Sequence, residues 1–204
     1  MTNMLLQDWD TPFEIAPFGA ISDEDFAPAL ETAMERHRAE IDAIACAAAP
    51  ADFANTIEAL EAAGRDLDKV LGTFYTVAGA DSNPVREALQ RDFSPKLAAH
   101  FAEISGNKAL FARVEAVYTA RDRLDLSDEQ ARVLMLTHRG FVRSGAALEG
   151  ADEARMKVIK GRLAELGTSF TQNLLADERE WFMELGEDDL AGLPDFVINT
   201  ARAA

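Results

Sequence analysis

A chain of 204 residues, 48% apolar and 27% charged, is long enough to bury a sizeable core and too apolar for disorder, so one ordered globular domain with or without a tail is expected. Its formal net charge of −16 repels phosphate backbones and anionic lipid, which excludes nucleic acid and a membrane surface as partners. No stretch approaches the roughly 20 apolar residues that a membrane span requires.

Residues 1–22 carry Trp9, Pro12, Phe13, Pro17, Phe18 and Gly19. Proline breaks any helix there, and the large apolar groups predict an extended arm anchored over a surface. Ser22 is an N-cap candidate, with Asp23, Glu24 and Asp25 at the positive end of the helix dipole that follows. Phe26, Leu30, Met34, His37, Ile41 and Ile44 then recur at steps of three and four, a single buried stripe. Pro50 ends it. A second helix is predicted from near Asp52, with Ile57, Leu60, Leu67, Val70, Leu71, Phe74 and Val77 in phase, closed by Gly79 and the Asp81-Ser82-Asn83-Pro84 turn.

Val85, Leu89, Phe93, Leu97, Phe101 and Ile104 form a third periodic segment, in which Pro95 predicts a kink or a later start. After the turn Ser105-Gly106-Asn107, Leu110, Val114, Val117 and Leu124 mark a fourth helix. Ser127 with Gln130 three residues on is a capping box that opens a fifth. Beyond Gly145 and Gly150, Met156, Ile159, Leu163, Leu166, Phe170 and Leu174 predict the longest helix. Trp181-Phe182-Met183-Glu184-Leu185 reads as a short strand, Asp188 to Leu190 as a helical turn, and Asp195 to Ile198 as the opening of a helix inside which the chain stops. The expected architecture is all-α: an up-and-down bundle of about six helices over 23–180, an extended arm over 1–22, and a truncated strand and helix over 181–204.

None of the three histidines, His37, His100 and His138, lies in H-E-x-x-H, the helical two-ligand zinc motif. His37-Arg38-Ala39-Glu40 and His100-Phe101-Ala102-Glu103 each put a His and a Glu one turn apart, half of a carboxylate-bridged metal site in principle. Bundle di-iron sites use the opposite order, so the plainer expectation is that both histidines border the core with solvated polar edges. Cys46, the only cysteine, excludes an intrachain disulfide, and its alanine-rich surroundings predict a packed, inert thiol. Ser105 and Lys108 match S-x-x-K across a turn and lack the partner motifs of an acylating serine. The clusters Asp177-Glu178-Arg179-Glu180 and Glu187-Asp188-Asp189 read as solvated charge. No catalytic, cofactor-binding or metal-ligating residue is therefore assigned.

Several segments, in order, resemble the thimet-oligopeptidase family of zinc peptidases, in its peptidyl-dipeptidase and oligopeptidase A branch. They are Leu5 to Phe13 with Ala16-Pro17-Phe18 and Ile21 to Ala29, Phe53 to Glu61, Ala78 to Pro84, Phe141 to Ala146, and Leu163 to Leu166 with Phe170 to Asn173. The resemblance implies a long helical enzyme with a deep channel that admits short peptides, of which this chain is the amino-terminal third, a piece of channel wall without activity of its own. In that family zinc is held by the two histidines of H-E-x-x-H and a later glutamate, so no cofactor is expected within this chain. The partners implied are short peptides, in the parent only, and the missing catalytic region. A homodimer through exposed apolar surface, with Trp181 to Leu185 as the candidate patch, is the other expected partner. The opening MTNMLLQDWD has acids where a secretory signal has Lys or Arg, which predicts a cytoplasmic protein. Two rival classes remain: a self-contained helical interaction module, and a small metal-binding bundle built on the two His-x-x-Glu pairs.

Overall fold

The computed structural model describes residues 3–203, and every described element is helix, turn or coil. The chain divides into two compact units, Met1–Glu149 and Gly150–Ala204.

In the first unit, helix α1 (Asp23–Ala45) is the spine. Ser22 stands at its N-cap, and Asp25 Oδ2 accepts both the Ser22 backbone N–H and its hydroxyl at 2.8 Å. The predicted stripe is buried as expected at Phe26, Leu30, Met34, Ile41 and Ile44. Its two halves serve two separate apolar clusters. The N-terminal half packs with Leu5 of the arm, with Leu67, Val70 and Phe74 of α3 (Arg65–Ala80), and with Phe93 and Leu97 of α4 (Pro84–Ser105). The C-terminal half packs with Ile57, with Leu110, Val114 and Val117 of α5 (Lys108–Ala120), and with Leu134 and Phe141 of α6 (Asp128–Arg143).

Between α1 and α3 the structure departs from the predicted single helix. A π-helical turn, Phe53–Glu58, runs into the short α2 (Ala59–Ala62), and the chain then breaks at Gly64, where φ is +79°. Apolar periodicity continues through the break because Ile57 and Leu67 both face inward, so the pattern cannot register it. Pro95, by contrast, sits inside α4, which continues through it as one helix. Of the predicted α4 stripe, Phe93 and Leu97 are buried while Val85 and Phe101 are exposed. The Ser127–Gln130 capping box forms as read, with bonds of 3.0 and 3.2 Å, and Asn107, read as part of a turn, also caps α5, its Oδ1 accepting from Leu110 N–H at 3.0 Å.

The arm is not uniformly extended; it is punctuated by 3-10 turns at Met4–Leu6, Pro12–Glu14 and Phe18–Ala20. Its anchors are Leu5, fully buried, and Trp9, whose Nε1 donates to the Met4 carbonyl and whose ring lies 4.8 Å beneath Lys69 Nζ. Phe13 is not an anchor: it is 95% exposed. Phe13 and Glu14 both have positive φ, +59° and +54°, conformations that non-glycine residues rarely adopt.

In the second unit, α7 (Gly150–Glu180) is the longest helix, as predicted, and α8 (Asp195–Ala203) follows a 3-10 turn at Glu187–Leu190. The strand expected at Trp181 to Leu185 does not form; the segment is coil, and no strand occurs among the described residues. Aromatic and apolar residues favour strands because they pack on a pleated, hydrogen-bonded neighbour, and none is present.

Candidate functional site

His37 and His100 meet where the two clusters of the first unit adjoin. On α1, His37 lies between Met34 of the first cluster and Ile41 of the second; on α4, His100 lies between Leu97 of the first and Ile104, which packs on the second. The pair therefore occupies the seam. His100 Nε2 and His37 Nδ1 are 3.0 Å apart, so one proton is shared between the rings. His100 is only 3% exposed, and its Nδ1 has no hydrogen-bond partner. This corrects the expectation of two histidines with solvated edges: α4 crosses α1 closely enough that each ring becomes the other's polar neighbour.

Burial is the main cause that lowers both imidazoles below their ordinary value. At His37 the carboxylates of Glu40 and Asp68 oppose it; at His100 the fields of His37 and Arg38 add to it and Glu103 opposes. Glu40 Oε2 also accepts the Gly64 backbone N–H at 2.7 Å, which fastens the α2–α3 break to α1. A groove of about 530 Å³ runs beside the pair, lined by Glu31, Glu35, Arg38, Lys96, His100 and Glu103 among others.

The His-x-x-Glu pairs do not assemble a metal centre, since no group of three His, Cys, Asp or Glu able to hold an ion occurs among the described residues. The third histidine lies elsewhere. His138 Nε2 is 2.5 Å from Glu115 Oε2, its ring is stacked on Tyr118 at 3.8 Å, and the Arg121 guanidinium lies over the Tyr118 ring at 4.4 Å. Sequence reading passed over this cluster, although Phe111, Glu115 and Tyr118 fall at helical spacing on α5 and signal a shared face. Cys46 is exposed, not packed: it caps the C-terminus of α1 beyond the last buried residue, Ile44, where the chain turns outward. Ser105 Oγ donates to the Ala102 carbonyl, while Lys108 Nζ donates to Ala146 O at 2.8 Å, so the S-x-x-K residues serve different turns.

The second unit offers a surface instead of a polar site. On α7 the predicted inward stripe is exposed at Ile159, Leu163, Leu166, Phe170 and Leu174, with Phe170 at 69%. Trp181, Phe182 and Met183 extend the exposed apolar run. No helix among the described residues is long and apolar enough to cross a membrane.

No family model matches the chain. It is 38% identical over 205 residues to dipeptidyl carboxypeptidase of Salmonella typhimurium and 36% over 203 residues to the Escherichia coli protein of that name. With oligopeptidase A of Escherichia coli it shares 27% over 209 residues. Each match takes in 99–100% of this chain, which spans 29–30% of the length of these curated relatives. The matches run end to end through the arm, α1 to α6 and α7 alike, so over its whole length the chain is similar to part of these peptidases of the thimet-oligopeptidase family.

Proposed function

We propose that this chain is the non-catalytic N-terminal helical region of a cytoplasmic peptidase that cleaves short peptides, and that it forms part of the wall of the substrate channel. The observation that carries the reading is the α7 face. A stripe of five large apolar residues at helical spacing, left exposed, has an unfavourable cost of about 1.5–3 kcal/mol per side chain relative to burial. Such a face is built to be covered, and the relatives supply a longer chain to cover it. In isolation the same face is open to a second copy, which makes a homodimer the expected state of the chain alone.

The family's zinc does not fit these residues. His37 and His100 are spent on each other and His138 on Glu115, so no third ligand joins any of them among the described residues. Hydrolysis belongs to the catalytic region, where the resemblance puts H-E-x-x-H. The test is to assay this chain alone against short peptides, and then within the longer polypeptide encoded by its reading frame. The chain alone is expected to be inert and the longer protein active and chelator-sensitive. Chelator-sensitive cleavage by the chain alone, or no peptidase activity in the longer protein, would overturn the reading.

A further inference from the structure

The seam between the two apolar clusters is crossed, between α1 and α4, by the His37–His100 bond, while the Glu31–Lys96 ion pair at 3.9 Å and the Asp23–Arg86 pair at 2.7 Å link the same helices nearer the start of α1. Two neutral imidazoles hold two ring protons among four nitrogens. His100 Nδ1 is buried without a partner, and a bare acceptor left there costs less than an N–H without an acceptor. The proton in the 3.0 Å gap is therefore carried by His100 Nε2 and offered to His37 Nδ1. From that state the next proton has two places to go. On His37 Nδ1 it sets two N–H groups face to face across the gap; on His100 Nδ1 it buries a cation with nothing to accept from it.

We propose that the pair is an acid-sensitive joint: while neutral it ties α4 to α1 across the seam, and on protonation the tie breaks and the C-terminal half of α4 loosens from α1. His37 is the moving member. It is the less buried of the two, and outside the gap its cation meets Glu40 on its own helix and Asp68 on α3. At His100, Arg38 of α1 opposes a charge and Glu103 of α4 favours one, and Glu31, Glu35 and Lys96 line the groove beside the ring, but none of them bonds its buried Nδ1. Gly64 closes the remaining side of His37, with a backbone that approaches the ring too closely for any Cβ. Both rings resist the added proton through burial, so the native fold binds fewer protons here than the unfolded chain. Stability from this site is present above the ordinary imidazole range and is lost as pH falls through it.

The test is hydrogen exchange on the 204-residue chain between about pH 7.5 and about pH 5.5, a range that brackets imidazole titration. Rates are corrected for intrinsic exchange and read as protection factors. Protection of amides 97–104 on α4 is expected to fall by about tenfold or more, while Val114 and Val117 on α5 keep theirs. In His100→Phe, which fills the seam with an apolar ring, the drop disappears. A titration of the imidazole proton resonances of the unmodified chain stands whether or not that variant folds, and is expected to place His37 and His100 below the free-imidazole value. Equal protection at both pH values, the same drop in His100→Phe, or both rings titrating at or above the free-imidazole value would each overturn the proposal.

Discussion

Replacing Gly64 by alanine should reveal how closely the α2–α3 break is fitted to the histidine pair. Two costs are separable. An alanine held at φ +79° pays about 1–2 kcal/mol for the left-handed backbone. Its Cβ would also stand 2.9 Å from His37 Cε1, closer than real Cβ contacts come, and 3.1 Å from both ring nitrogens, tighter than most. The ring must then shift, and with it goes the 3.0 Å bond to His100, worth a further ~1 kcal/mol. Urea denaturation of Gly64→Ala should show a loss of about 2–3 kcal/mol, the sum of the two. In a His37→Ala background the contact disappears while the backbone cost stays, so the same substitution should cost about 1 kcal/mol less. The four-protein cycle is the assay. If Gly64→Ala costs the same in both backgrounds, the glycine answers only to its dihedral angle and the fitted contact is refuted.

Three further outcomes follow from the packing and the charges. Leu5→Ala removes the one fully buried side chain among the arm's described residues and should cost about 2–5 kcal/mol in thermal or urea unfolding, with the arm becoming cleavable by chymotrypsin at Trp9. Asp23 is held below the usual carboxylate range by the Asn83 side-chain amide first and the Arg86 guanidinium second. A depressed native value means the contribution is present above the ordinary aspartate range and lost as pH falls through the native one. Arg86→Gln should therefore flatten the stability profile on the acid side, measured by denaturation at several pH values. On the α7 face, the pair Leu163→Glu and Phe170→Glu should change unfolding stability by no more than about 0.5 kcal/mol each, because both sites are exposed. The same pair should abolish any concentration-dependent association in sedimentation velocity; association that persists would point to another surface.

Helix starts were legible because their chemistry is local. Ser127 and Gln130 satisfy each other's backbone groups within one turn, whatever lies beyond. The apolar stripe of α1 was legible for a similar reason, since a spacing of three and four residues has one solution on a helix. What fills the other side of that stripe was not. That its two halves belong to separate clusters depends on where α3, α4, α5 and α6 dock, and the stripe reads the same either way.

The composition, the caps and the periodicity by themselves determined an all-α chain with an apolar-anchored arm, and the order of its segments carried the resemblance to the family. Only the tertiary structure decided the features in which residues distant in sequence meet. His37 and His100 are 63 positions apart, and their shared proton exists because two helices cross there. Gly64 breaks a pattern that looked continuous because its close neighbour is a ring 27 positions earlier, as numbered along the chain. Trp181 to Leu185 had the residues of a strand and no partner to pair with. Local bonds are written in the spacing of residues; burial, shared protons and strand pairing depend on what the fold brings alongside.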